Sequence, residues 1–328
     1  TYRRPWFDRM FRAALAKILP YPKRLRTMMR LGHVARYFSF ILPKSLRNML
    51  NLLPKIPARR RYVSPTHFAY AAVKPKLRVA LLQGCAQSVI GPHINQASWQ
   101  LLTEIGCEPV SPPNAGCCGA LVHHLGREDE SQQQIRDLIL AWEEAESQGG
   151  KFDYIVVSTS GCGSTIKDWG RLMAHDAVFA NRAKDFAARC RDLSEIVAMV
   201  GLPPHLQHRP HPEGQRIVAW HPPCTLQHGQ KIKQMPMDLL RQAGYQPIEI
   251  AESHLCCGSA GVYNILQPEI AGQLRDRKVG NIERTKPDMI ASANLGCMVQ
   301  IQSGTEIPVY HLAELLLGFE NQGVSGIN

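Results

Sequence analysis

No stretch of this 328-residue chain holds the ~18 consecutive apolar residues that span a bilayer, so no membrane-crossing helix is expected. No Gly-x-Gly-x-x-Gly follows a strand-like run, no phosphate-binding P-loop is present, and no Ser, His and Asp stand at a recognisable catalytic spacing. These absences argue against flavin or NAD bound by this chain and leave no side chain to assign as catalytic. No signal peptide is visible, and the first residue is Thr1. The expected location is cytoplasmic.

Acidic residues are nearly missing from the first 61 positions, where Asp8 stands alone against sixteen Lys and Arg. The net charge of +11 is therefore local, and the rest of the chain is mildly acidic. The same segment carries Trp6, Phe7, Phe11, Leu15, Ile18, Leu19, Met28, Met29, Leu31, Val34, Phe38, Phe40 and Ile41. This mixture suits short amphipathic helices, interrupted by prolines at 20, 22, 43, 54 and 57. Residues 1–75 read as a basic helical arm. It fits a connector packed on the body or on a partner subunit, or an interfacial helix drawn to anionic lipid at the cytoplasmic face of the inner membrane. Nucleic acid is not an expected partner, because no recognised motif accompanies the charge.

What the chain has is a cysteine pattern that occurs twice. Cys85 precedes Cys117-Cys118-Gly119, and Cys224 precedes Cys256-Cys257-Gly258, with 31 residues between in each case. A glycine-flanked cysteine closes each half, Cys162 in Ser-Gly-Cys-Gly and Cys297 in Leu-Gly-Cys-Met. Eight of the ten cysteines fall into these two sets.

The halves match beyond sulfur. A short apolar run ends at each first cysteine. Helices over Asn95–Ile105 and Lys233–Ala243 follow, stopped by Gly106 and Gly244. Extended pieces come next at Glu108–Val110 and Pro247–Ile250. Charged helices over Arg127–Ser147 and Glu269–Arg284 follow the Cys-Cys-Gly turns. Strands at Tyr154–Val157 and Met289–Ala291 then deliver the last cysteine. The alternation implies an α/β fold, two tandem homologous repeats each built on a parallel Rossmann-like sheet. The domains are expected at 76–212 and 213–328. Ligands in such folds gather at the carboxyl ends of strands, where Cys85, Cys162, Cys224 and Cys297 would sit.

A disulfide framework suits small secreted domains without a core, and this chain has ample apolar material. Vicinal cysteines also bridge each other only with strain. A Cys-Cys-Gly turn instead points two thiolates at one centre, with glycine permitting close backbone approach. Four thiolates per half suit a [4Fe–4S] cluster or a tetrahedral Zn site. The expected metal ligands are Cys85, Cys117, Cys118 and Cys162 in the first half, and Cys224, Cys256, Cys257 and Cys297 in the second. Zn in one repeat and a cluster in the other stays open. Cys107 and Cys190 read as small buried hydrophobes on helical or near-helical segments. His221, His228 and His254 surround the second site in sequence, as supports for the ligands or as a replacement ligand or proton relay. His123 and His124 stand in the same relation to the first. Gln227 and Asn294 are expected to satisfy buried backbone groups.

The repeated Cys-x31-Cys-Cys-Gly resembles the cysteine-rich CCG domain found in heterodisulfide reductases, lactate-utilisation proteins and glycolate oxidase iron–sulfur subunits, the last most closely. The resemblance rests on Gly84-Cys85-Ala86-Gln87, Ala115-Gly116-Cys117-Cys118-Gly119-Ala120, Thr159-Ser160-Gly161-Cys162-Gly163, Pro223-Cys224-Thr225-Leu226-Gln227-His228, Ser253-His254-Leu255-Cys256-Cys257-Gly258-Ser259-Ala260-Gly261 and Ala293-Asn294-Leu295-Gly296-Cys297. It covers residues 75 to 318. Two features depart from it. The ferredoxin-like part with paired Cys-x2-Cys-x2-Cys-x3-Cys-Pro runs is absent here, as in a fragment or a version without those clusters. Thr165 and Gln300 stand where a fifth thiol would complete Cys-x-x-Cys, which favours four-thiolate sites.

The resemblance implies an electron-transfer subunit of a complex that oxidises glycolate to glyoxylate. A separate flavoprotein would perform the hydride chemistry, and electrons would leave to a membrane quinone or another carrier. A lactate-type or heterodisulfide-type oxidoreductase subunit and a Zn-binding assembly subunit are the alternatives. Ser160, Thr225, Ser259 and the amides of Gly119, Gly163 and Gly258 are candidate hydrogen-bond donors to sulfur.

Overall fold

A computed structural model describes residues 5–38, 40, 50, 75–210 and 214–319. The arm opens with α1 (Trp6–Ile18) and α2 (Pro22–Arg36), both amphipathic as expected. Expectations that fall on residues 41–49 and 51–74, including the prolines at 43, 54 and 57, lie outside the described residues.

The first repeat runs β1 (Leu77–Leu82), α3 (Pro92–Glu104), β2 (Cys107–Val110), α4 (Glu128–Gly149), β3 (Tyr154–Val157), α5 (Ser160–Lys167), α6 (Ala180–Arg189), β4 (Cys190–Asp192) and α7 (Leu193–Val200). The second runs β5 (Ile217–Trp220), α8 (Met235–Gln242), β6 (Gln246–Glu249), α9 (Pro268–Glu283), β7 (Met289–Ser292), α10 (Leu295–Gln302), β8 (Val309–His311) and α11 (Leu312–Leu317). Each repeat forms a four-stranded, all-parallel sheet, ordered β2-β1-β3-β4 and β6-β5-β7-β8. Val79 pairs with Tyr154, and Val218 pairs with Met289, so the repeats correspond strand for strand.

The strands are apolar on both faces because both faces are covered. Val79, Leu81 and Val156 join Val218, Trp220, Met289 and Ala291 in one core shared by the two sheets. Side chains of α3, α7, α8 and α11 fill it. The alternate residues Ala80, Leu82, Ile155 and Val157 face outward under α4, α5 and α6. Ala219 and Ile290 do the same under α9 and α10. The architecture is thus helices, sheet, helices, sheet, helices, with the Cys-Cys-Gly turns on the outer sides.

Both strands that close a sheet lead straight into a helix through a capping box, Asp192 with Glu195 and His311 with Glu314. The His311 Nε2–H donates to the Ser158 carbonyl of the other repeat at 2.7 Å. Cys107 and Cys190 lie on strands rather than helices. Both are buried, and burial raises their thiols to about 11 and about 12.

The arm helix α1 lies on the body. Leu15 and Ala16 pack with Val122, Leu125 and Val262, which come from both repeats. Trp6, Phe7 and Met10 on the same helix stay exposed. Among the described residues, no helix is long and apolar enough to cross a membrane.

Candidate metal centres

Each first cysteine follows the carboxyl end of a central strand. Cys85 sits just after β1 and Cys224 just after β5. Each last cysteine lies in the first turn of the helix after β3 or β7, one step further than the strand end itself. The Cys-Cys-Gly turns reach these positions because their glycines adopt left-handed backbone, φ 86° at Gly119 and 93° at Gly258. A Cβ on Gly119 would stand 2.8 Å from Ser131 Oγ, and one on Gly258 would collide with the Ala271 carbonyl. Only glycine lets the turn press against the helix that follows.

The first four thiols meet. Cys85 Sγ donates to Cys117 Sγ at 3.4 Å, and Cys118 contacts both Cys117 and Cys162. Hydrogen bonds from Cys118 and Cys85, reinforced by the amides of Gly119 and Leu121, hold the Cys117 thiol well below its usual range. Its neighbours Cys85 and Cys118 are pushed up, first by donating to Cys117 and then by burial.

The second four meet in the same way. Cys224 contacts Cys256, which contacts Cys257, which contacts Cys297. Cys256 is lowered to about 2 by hydrogen bonds from Cys224 and Cys257, with the Gly258 amide 3.3 Å from its sulfur. Cys297 is also held low, by Cys257 first and then by His221 and Asn294. Asn294 Nδ2 donates to Cys297 Sγ at 3.2 Å. All ten cysteines are free.

This donor set fits a soft metal or an iron–sulfur cluster. In each half four sulfurs converge, and a bound cation would displace their thiol protons.

The supporting residues divide. Gln227 Nε2 bridges the Pro222 and Ser253 carbonyls, as expected, and ties the Cys224 turn to the loop before Cys256. Asn294 serves sulfur rather than backbone. The Gly119 and Gly258 amides reach sulfur, whereas the Gly163 amide bonds the Thr159 carbonyl within α5. The Ser259 amide, rather than an observed hydroxyl contact, acts on Cys257. Ser160 Oγ and Thr225 Oγ1 bond each other at 2.8 Å. His221 is buried with the ligands, and its ring lies with Cys257 and Cys297 in a group whose donor atoms are within 4.8 Å of one another. His228 and His254 are exposed, with His228 Nε2 donating to the His254 carbonyl at 3.2 Å. His123 and His124 occupy the short helix after Gly119, and burial lowers the His124 pKa.

Two supports escaped sequence reasoning. Gln87 Nε2 donates to Asn95 and Ser158, and Gln87 Oε1 accepts from Thr159, which locks the Cys85 turn to the end of β3. Lys278 is buried behind the second centre and donates to the Glu252 carbonyl at 2.7 Å. Neither has a spacing that would betray it.

The two centres abut. The Ser160 amide donates to the Ala293 carbonyl at 3.1 Å, and Gln230 Nε2 donates to the Ser160 carbonyl at the same distance. The turn carrying Cys162 is thereby fastened to segments that carry Cys224 and Cys297.

Comparison with known proteins settles the family at this point. The model of the CCG cysteine-rich domain matches residues 79–167 and 218–302, the two stretches that bring these thiols together. The chain belongs to the cysteine-rich CCG domain family. It is 34% identical over 314 residues to the glycolate oxidase iron-sulfur subunit of Escherichia coli, covering 96% of this chain and 72% of that protein. It is also 25% identical over 250 residues to lactate utilization protein A of a Geobacillus species, covering 73% of this chain and 99% of that one. The CCG repeats account for the internal duplication and for the paired sheets.

Proposed function

We propose that the chain is the iron–sulfur electron-transfer subunit of a glycolate-oxidising complex. The observation that carries this reading is the convergence of four buried or half-buried thiols in each CCG repeat, just beyond the carboxyl ends of its central strands. Likeness to a glycolate oxidase iron-sulfur subunit and to a lactate utilization protein supports it. Cys85, Cys117, Cys118 and Cys162 would hold one [4Fe–4S] cluster, and Cys224, Cys256, Cys257 and Cys297 the other. A bound cluster would supply one-electron chemistry there. The protein's part is to exclude water, fix the ligands and tune potential through the Gly119, Gly258 and Ser259 amides and Asn294.

The hydride chemistry is assigned to a partner flavoprotein. Electrons would pass through this chain to a membrane quinone or a similar acceptor. The exposed Trp6, Phe7 and Met10 beside Arg9 and Arg12 suit peripheral contact with anionic lipid. Cys256→Ser or Cys257→Ser in the assembled complex should abolish quinone reduction and leave the dye-linked oxidation of glycolate by the flavoprotein intact. Unchanged quinone reduction would refute the relay.

A second reading has its own observation. The nitrogen-and-sulfur group of His221, Cys257 and Cys297 also suits Zn. Zn at the second site would leave that centre a structural one.

A further inference from the structure

The two CCG repeats correspond in backbone, yet their centres differ in what stands behind the thiols. Aligning Val79 with Val218 places Leu82 of the first repeat at the position of His221 in the second. Aligning Ser131 with Ala271, the residues packed under the two left-handed glycines, places Leu138 at the position of Lys278. Leu82 and Leu138 are both buried in apolar core. An imidazole and an ammonium therefore occupy, in the second repeat only, places that the fold fills with leucine in the first.

His221 has no structural reason to be polar. It is 1% exposed, no oxygen or nitrogen partner meets its ring, and the group its ring acts on is the Cys297 sulfur. Burying an imidazole whose ring meets no oxygen or nitrogen partner costs free energy that leucine would not. Its backbone is already fixed, the amide donating to the Ala291 carbonyl at 2.8 Å in continuation of the ladder. What the ring does face is sulfur, in the compact group with Cys257 and Cys297.

We infer that His221 is a nitrogen donor, beside Cys257 and Cys297, to a metal ion at the second centre, which makes that centre a mixed nitrogen and sulfur site while the first is all thiolate. The inference rests on the reading that these thiols hold metal. Lys278 complements it by offsetting part of the thiolate charge from behind Cys256 and Cys257.

The test compares the full chain with His221→Leu, the residue the first repeat uses, and with Cys117→Ser as a control in the other centre. Each metal-free protein is titrated with cobalt(II) under anaerobic conditions, and the visible d–d bands report the nitrogen-to-sulfur ratio. In the wild type, one of two bound ions should show a mixed nitrogen and sulfur spectrum. His221→Leu should remove that spectrum and weaken one of the two ions at least tenfold, while metal-free His221→Leu melts no lower than the wild type. Cys117→Ser should leave the mixed spectrum in place. Identical spectra and affinities for wild type and His221→Leu would overturn the inference, as would a lower melting temperature of the metal-free variant. So would a wild type that binds no cobalt. Iron and sulfide content decides separately whether the centre carries electrons, so a zinc protein would end the relay and leave His221 as a donor.

Discussion

Ser160 and Thr225, 65 residues apart and in different repeats, share a hydrogen bond of 2.8 Å between their hydroxyls. Each lies within two residues of an expected ligand, Cys162 and Cys224. The bond therefore couples the turn of one centre to the turn of the other, instead of serving a cluster sulfur. Ser160→Ala and Thr225→Val should each cost about 1 kcal/mol, and the double variant should cost less than their sum. Chemical denaturation of the four proteins measures the coupling, and full additivity would contradict it.

The glycine of each Cys-Cys-Gly turn is fixed by both conformation and space. Gly258→Ala would force a side chain into left-handed backbone and into the Ala271 carbonyl. A loss of about 2 kcal/mol or more is expected, with metal lost from the second centre before the first. Metal content after mild dialysis, compared with Gly119→Ala, reports which centre empties. Equal retention in both variants and the wild type would count against the packing argument.

Two buried groups at corresponding helix starts give opposite pH dependences. His311 is driven down to about 4 by burial, so the folded state resists a proton that the unfolded chain takes near 6.5. Its contribution is present above 6.5 and is lost as pH falls towards about 4, by about 3 kcal/mol in total. Burial raises Asp192 from 3.8 to about 6, so the folded state keeps a proton that the unfolded chain releases. That contribution is lost as pH rises from 3.8 to about 6. The slopes cancel between about 4 and 6. Asp192→Asn removes one of them and should gain stability relative to the wild type over that range, by about 3 kcal/mol, then level off. A pH-independent difference in urea midpoints would show that Asp192 is not protonated in the fold.

The arm has a packed side and an open side. Leu15 anchors α1 on Val122, Leu125 and Val262, while Trp6, Phe7 and Met10 face outward. Leu15→Ala should destabilise by about 2 kcal/mol. Replacing Trp6, Phe7 and Met10 by Ser should leave stability unchanged and abolish co-sedimentation with anionic vesicles. Equal vesicle binding by that triple variant would assign the open face to another partner.

Much of this is legible because the chain repeats itself. The 31-residue spacing, seen twice, picks out six thiols, a glycine-flanked cysteine closes each set, and the structure brings each set of four together. The principal strands and helices fall within a few residues of expectation, since apolar runs and glycine stops mark their ends. Strands β4 and β8 escape because three-residue strands carry no periodicity. The shared core is hidden because a sequence pattern gives the apolar faces of a sheet but not which partner covers them. The thiols give no sign of how the hydroxyls pair, so Ser160 and Thr225 read as donors to sulfur and instead serve each other. His221, His228 and His254 look alike in sequence. Only His221 is buried, because it alone continues the line of a central strand.

Anaerobic purification of the untreated protein, with iron, acid-labile sulfide and zinc determined on one sample, tests the central claim most directly. Two [4Fe–4S] clusters predict about eight iron and about eight sulfide per chain, a brown solution and a thiolate-to-iron shoulder near ~400 nm. A colourless protein with zinc in place of iron, or with eight freely titratable thiols and no metal, would contradict it.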